Sequence, residues 1–348
     1  MTTTSTAPTY GGPLAVSTRG LRKTYLRPGR GRSVAVEGLD LDVPLGGVHG
    51  FLGPNGSGKT TTIRMLLGLV RPDSGTMRLF DHEVPARLPD VIGRVGAIVE
   101  QPRFFPTFSA RENLVLLAGA IGVPERTVDV VLADVGLADR ARDRYRTYSL
   151  GMKQRLAVAA TLLKDPDLLI FDEPTNGLDP AGIREVRGTM RALAERGKTV
   201  LVSSHILAEV EQVADTVSII ARGRLLASGR VSDLLGSRAT SSVRVRLADP
   251  ASAAGVLTAR GWRTTADGEV LVVEGAPAPE HITQALAERG MYVSELLPVR
   301  VDLESVFLEL TAGQGPGTSA WRPDGGKGRR ARRGDARPVG APTEGGAR

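Results

Sequence analysis

Gly53-Pro54-Asn55-Gly56-Ser57-Gly58-Lys59-Thr60 decides how this 348-residue chain is read. A glycine, four residues and then Gly-Lys-Thr is the phosphate-binding loop pattern. Its surroundings agree: Val48, Phe51 and Leu52 make an apolar strand before it, and Ile63, Leu66, Leu67 and Val70 follow at helical spacing. A loop joining a strand to a helix start presents unpaired backbone N–H groups and the positive end of the helix dipole to an anion. Gly56 and Gly58 let the backbone curl around phosphates where a Cβ would clash. Lys59 can reach the β- and γ-phosphates, and the Thr60 hydroxyl can ligate Mg²⁺. Pro54, Asn55, Ser57 and Thr61 complete the stretch expected to touch the nucleotide.

Outward from the loop, composition bounds the rest. Hydrophobic residues make up 41% and charged residues 24%, the balance of a soluble globular protein. Aromatics are only 4%, so the cores must rest on Leu, Val, Ile and Ala. No apolar run is long enough to cross a bilayer, and residues 1–13 lack the charged start and apolar centre of a secretory signal. Zero cysteines exclude disulfides and thiolate metal sites. The expected location is the cytoplasmic side. The net charge of +7 is uneven: residues 311–348 hold eight Arg/Lys against three Asp/Glu. The remainder is near neutral, which argues against a nucleic-acid surface.

The pattern divides the chain into an expected disordered leader (1–13), an α/β domain (14–235), a small α+β domain (240–310) and a disordered basic tail (311–348). In the α/β domain apolar strands alternate with amphipathic helices, as in a largely parallel sheet. Leu168–Phe171, Val200–Val202 and Val217–Ile220 are buried-strand candidates. Residues 102–164 are mostly helical and read as an inserted subdomain. In the α+β domain, strands are expected at 242–247, 269–273 and 291–297 and helices at 250–260 and 279–289, a βαββαβ-like unit. A short helix over 303–310 closes it.

A second constellation supplies chemistry. Leu168 to Pro174 reads Leu-Leu-Ile-Phe-Asp-Glu-Pro, so an apolar strand delivers Asp172 at its C-terminal end. That placement suits a carboxylate that holds Mg²⁺. Glu173 follows and can polarise the attacking water. His205, in Val-Ser-Ser-His at the end of the next strand, can donate to the γ-phosphate and hold the water with Glu173. Asp179 before Pro180 is an N-cap with proline at the first helical position. Ser149 caps a further helix, whose apolar face is read as Met152, Leu156, Ala159 and Leu163 and whose start is a second anion site. One chain thus offers two phosphate-facing helix ends, and the second is free to face a nucleotide on another subunit.

In order and spacing these elements resemble the ATP-binding subunits of ABC transporters over about residues 14–235. The resemblance implies that Tyr25 stacks on adenine and that Gln101 links Mg²⁺ and the attacking water to a membrane partner. It implies that Ser149 and Gly151 contact the γ-phosphate bound by the opposite subunit and that Asp179 couples the two sites. Gln101 joins Lys59, Glu173 and His205 as a catalytic candidate, and joins Thr60 and Asp172 as a metal candidate. Leu150 and Met152 depart from the commonest signature, Leu-Ser-Gly-Gly-Gln, while Ser149, Gly151 and the following Lys-Gln-Arg remain. That variant, the run Phe104-Phe105-Pro106, residues 109–114 and the ending Leu303-Glu304-Ser305-Val306-Phe307-Leu308 are similar to the drug-export branch, the bacitracin- and daunorubicin-type exporters. The expectation is an ATPase that powers export of a small molecule (drug, antibiotic or lipid-like) through a separate permease. ATP and Mg²⁺ would bind between two copies, the expected partners being a permease and a second ATPase subunit but no nucleic acid. The alternatives are an importer ATPase, or a non-transport ATPase of the same family acting on DNA or ribosomes. The latter typically carry two cassettes, a long coiled coil or a zinc insertion, and none of these is visible here.

Overall fold

The computed structural model describes residues 11–27, 31–100, 103–236, 242–299 and 302–312. The expected leader, apart from residues 11–13, and the tail beyond residue 312 lie outside them. Two long strands, β1 (Leu14–Arg27) and β2 (Gly31–Pro44), pair antiparallel with Leu21 opposite Leu39. The next strand, β3 (Gly47–Leu52), leaves this pair and enters a different sheet. After the phosphate loop and helix α1 (Lys59–Leu66), β4 (Ser74–Leu79) and β5 (His82–Val84) return to give an antiparallel sheet ordered β2-β1-β4-β5. The alternating strand–helix pattern did not reveal this second sheet. Burial along its strands is irregular, with Leu41, Asp42 and Val43 of β2 buried in succession, and the expected parallel sheet begins only at β3.

A short helix, α2 (Leu88–Val91), leads to β6 (Val95–Ile98), at one edge of the main sheet. Helices α3 (Ala110–Ala120), α4 (Arg126–Asp134) and α5 (Leu150–Leu162) then separate β6 from β7 (Leu168–Asp172). The helix α3 starts with a capping box: the Ser109 hydroxyl accepts from Glu112 N at 3.1 Å, and the Glu112 carboxylate accepts from Ser109 N at 2.7 Å. In α5, Gly151, Gln154 and every residue from Leu156 to Ala159 are buried. The single apolar face read from Met152, Leu156, Ala159 and Leu163 is therefore too narrow, because neighbours cover the helix on several sides.

The chain continues through α6 (Pro180–Glu195), β8 (Thr199–Ser204), α7 (Leu207–Glu211), β9 (Thr216–Ala221), β10 (Arg224–Arg230) and α8 (Val231–Gly236). The main sheet runs β10-β9-β3-β8-β7-β6, with all pairs parallel except β10 against β9. Strands β8 and β9 are buried at every residue, so they read as continuous runs rather than alternating ones. The core lies between the two sheets, where Leu21, Leu39, Leu41 and Leu79 meet Phe51, Ile63, Met65, Leu66, Ile170 and Leu201. Polar residues are also enclosed within the sheet, among them His49, Ser203, Thr216 and Ser218. His49 is fully buried, with Nδ1 2.8 Å from Thr216 Oγ1 and Nε2 3.0 Å from Ser218 Oγ.

The C-terminal unit comprises β11 (Ser242–Leu247), α9 (Pro250–Thr258), β12 (Arg263–Asp267), β13 (Val270–Glu274), α10 (Pro279–Ala287) and β14 (Val293–Val299). Its sheet is antiparallel and ordered β12-β13-β11-β14, the split βαβ arrangement. Strand β12, Arg-Thr-Thr-Ala-Asp, has too little apolar character to be read as a strand and owes its place to pairing with β13. Helix α11 (Leu303–Ala312), expected to close this unit, packs instead against α7 and α8. It buries Leu303, Val306 and Phe307, and Leu303 N donates to Glu211 Oε2 at 2.8 Å.

Candidate active site

The C-terminal ends of β3, β7 and β8 face one cleft, as expected for ligand binding at an open parallel sheet. The cleft is about 280 Å³ and is lined by Asn55 to Thr61, by Tyr25 and Ser33 to Ala35, and by Glu173. Glycine is required in the loop by its own packing as well as by phosphate. A Cβ on Gly58 would stand 2.5 Å from the Ala35 carbonyl oxygen, and one on Gly53 would strike the Ile220 carbonyl. Gly56 has open space around it, and its φ of 80° is what excludes other residues.

Lys59 is 5% exposed, and its ammonium donates to the Gly53 carbonyl at 2.6 Å and the Pro54 carbonyl at 3.4 Å. It also lies 3.2 Å from Glu173 Oε1. The other Glu173 oxygen accepts from His205 Nδ1 at 2.7 Å. One carboxylate therefore joins the loop lysine to the imidazole on the neighbouring strand. Because a carboxylate only accepts, Nδ1 carries the proton, and Nε2 can donate as well only when the ring is charged. Glu173 has φ 51°, a conformation uncommon outside glycine, and this turn brings its side chain back over the loop.

Asp172 stands at the end of β7, opposite Ser203 of β8. The Ser203 hydroxyl donates to Asp172 Oδ1 and accepts from Glu173 N at 3.0 Å. Sequence reasoning passed over Ser203. The available signal was two serines ending an otherwise apolar strand, where a buried hydroxyl needs partners.

The residues present fit a nucleotide and a hard cation. The Ser57 hydroxyl is buried with no hydrogen-bond partner in the structure, in a loop whose glycines leave room for phosphate. A hydroxyl at Thr60 and a carboxylate at Asp172 are oxygen donors of the type Mg²⁺ takes together with substrate phosphates. No group of three or more His, Cys, Asp or Glu among the described residues forms a metal site by itself.

Tyr25 lies at the cleft wall, 38% exposed, with the Lys23 ammonium 5.7 Å from its ring. Ser149, Gly151 and Asp179 are not among the cleft-lining residues; they gather at a second place. Ser149 Oγ accepts from Met152 N at 3.2 Å, and Asp179 Oδ1 accepts from Gly182 N at 3.0 Å. A Cβ on Gly151 would lie 3.4 Å from Gly182 Cα, so α5 and α6 meet start to start through two glycines. Gln101 lies outside the described residues. Burial pushes the His49 imidazole down to about 3, far below its ordinary range.

Comparison with known proteins adds an independent line. Residues 36–176 match the ABC transporter family, and residues 241–304 match a domain of unknown function. The bacitracin transport ATP-binding protein BcrA of Bacillus licheniformis is 38% identical, covering 86% of this chain and 97% of that protein. The daunorubicin/doxorubicin resistance ATP-binding protein DrrA of Streptomyces peucetius is 42% identical over 69% of this chain and 72% of its own length. The solved structure of cbiO1 from Clostridium perfringens, part of the ABC transporter complex cbiONQ, shares the fold with a TM-score of 0.58 at 24% identity. It covers 65% of this chain and 92% of cbiO1.

Proposed function

The chain belongs to the ATP-binding subunits of ABC transporters, and from that membership we propose how its residues divide the work of binding and hydrolysing ATP. It is an ATP hydrolase that powers export. The observation that carries the assignment of roles is the Lys59–Glu173–His205 chain at the mouth of the cleft.

Tyr25 stacks on the adenine, while Gly53, Pro54, Asn55, Gly56, Ser57, Gly58, Lys59, Thr60 and Thr61 hold the phosphates. Thr60, Asp172 and Gln101 would hold Mg²⁺, which would supply positive charge against the phosphate oxygens. Lys59 is shared between Glu173 and the γ-phosphate, so phosphate entering the cleft competes for the ammonium and frees the carboxylate. Glu173 then takes the proton of the water that attacks the γ-phosphorus, the β–γ bridge breaks, and ADP leaves with the bridging oxygen. His205 keeps Glu173 aimed through its Nδ1 proton.

Ser149 and Gly151 serve the nucleotide held by a second copy, and Asp179 beside them couples the two sites. No helix of the described residues is long and apolar enough to cross a membrane, and a separate permease supplies the path. Its contact region runs from Gln101 to Leu114, where Phe105 and Phe108 are exposed. The subunit works at the cytoplasmic face, where Arg329, Arg330, Arg332 and Arg333 of the tail add attraction to anionic lipid of roughly 1 kcal/mol each. The cargo class is a small drug, antibiotic or lipid-like molecule, in line with the names of BcrA and DrrA. Mixing tests the sandwich. Lys59→Ala and Ser149→Arg homodimers should each be inactive, and mixed dimers should recover one working site. Verified mixed dimers without activity would refute the shared site.

A further inference from the structure

Ser203 is completely buried in β8, directly opposite Asp172 in β7. Its hydroxyl offers one proton and two lone pairs. An ionised carboxylate only accepts and a backbone amide only donates, so the direction of both bonds is forced. Glu173 N–H donates to Ser203 Oγ at 3.0 Å, and Ser203 O–H donates to Asp172 Oδ1. The same amide also lies 3.2 Å from the Ser203 carbonyl.

Two consequences follow for the chemistry. One Asp172 oxygen is committed to the hydroxyl, which restricts rotation of the carboxylate and presents its other oxygen in one direction. The Glu173 amide, at the left-handed turn with φ 51°, is anchored to the same hydroxyl. That turn returns the Glu173 carboxylate to a position 3.2 Å from Lys59 and 2.7 Å from His205. Strand β8 ends one residue later, at Ser204, and His205 follows. One strand end thus holds Asp172 by a side chain, Glu173 by its amide, and the Glu173 carboxylate by an imidazole.

We propose that Ser203 is a positioning residue for ATP hydrolysis, its hydroxyl setting the aim of Asp172 toward Mg²⁺ and the backbone turn of Glu173 together. This rests on the reading of Asp172 as the metal-holding carboxylate. Groups that hydrogen-bond to metal ligands typically change metal affinity or activity by about 10- to 100-fold when removed. A serine that merely filled space would leave metal affinity unchanged when exchanged for a residue of the same shape with or without its hydroxyl.

Threonine and valine make that comparison, since both are β-branched, suit a strand and differ in the hydroxyl. Full-length Ser203→Val and Ser203→Thr proteins are titrated with Mn²⁺ in the presence of a non-hydrolysable ATP analogue, and free Mn²⁺ is read by electron paramagnetic resonance. Analogue affinity in EDTA, kcat and KM are measured alongside. The expected result for Ser203→Val is about 10- to 100-fold weaker Mn²⁺ binding and a lower kcat, with metal-free analogue affinity retained. Ser203→Thr should stay close to the parent. Equal Mn²⁺ affinity in the two variants overturns the proposal, as does an equal loss of metal-free analogue binding in Ser203→Val. If the valine protein fails to fold, Ser203→Ala, which removes a single oxygen, replaces it in the same comparison. Asp172→Ala separates the two levels of the reading. Unchanged Mn²⁺ affinity there refutes the metal role of Asp172 and this proposal with it. Loss there combined with none in Ser203→Val refutes the role of Ser203 alone.

Discussion

His49 sits in β3, the strand that leads into the phosphate loop, and it ties that strand to Thr216 and Ser218 of β9. Full burial pushes its folded-state value to about 3, against an ordinary 6.5. Between these values the unfolded chain binds a proton that the folded chain refuses. Stability therefore rises with pH across this window and is lost as pH falls below 6.5, levelling off near pH 3. The slope is about 1.36 kcal/mol per pH unit. At pH 5 the protein should have lost about 2 kcal/mol relative to pH 7.5 through this one side chain, a factor of about 30 in the folding equilibrium. His49→Gln keeps a donor and an acceptor for the two hydroxyls and removes the titration. Urea unfolding of parent and variant at pH 5.0 and 7.5, monitored by far-ultraviolet circular dichroism, gives the difference of differences, in which the other titrating groups cancel. The parent should lose about 2 kcal/mol more than the variant on acidification. Equal losses in the two proteins would refute burial of a neutral His49 as a source of acid sensitivity.

Glu173→Gln keeps a hydrogen-bonding group for His205 but removes the base and the charge that pairs with Lys59. Turnover should fall by about 10²- to 10⁴-fold, while ATP binding is retained and an ATP-bound dimer accumulates on gel filtration; near-parental turnover would place the base elsewhere. Lys59→Ala should weaken ATP binding in equilibrium titration and abolish hydrolysis with the circular dichroism spectrum unchanged, and parental affinity would count against the phosphate-loop assignment. A chain ending at Gly313 should sediment less with anionic vesicles than the full chain at low salt. The difference should shrink at 0.15 M, where the Debye length is about 8 Å, and equal sedimentation at both salts removes the tail from the membrane.

Much of the candidate site was legible because its chemistry is local. Eight consecutive residues specify the phosphate loop, and the strand before it and the helix after it are set by short-range apolar spacing and helix-start geometry. Asp172 and Glu173 are adjacent, so an apolar run ending in two carboxylates announced them without knowledge of any neighbour. The caps at Ser149 and Asp179 were readable for the same reason, each bonding an amide three residues on. Long-range pairing decided the rest. The antiparallel sheet of β1, β2, β4 and β5 depends on where β3 leaves its hairpin, and β12 on pairing with β13, neither of which changes the local pattern. The docking of α11 on α7 rather than on its own unit is likewise a choice among several apolar surfaces. Within the site, the Lys59–Glu173 pair spans 114 positions and the Ser203–Asp172 bond spans 31. Sequence supplies the groups for such bonds, but strand register alone brings them within hydrogen-bond reach, since a shift of one residue would turn Ser203 to the other face of the sheet.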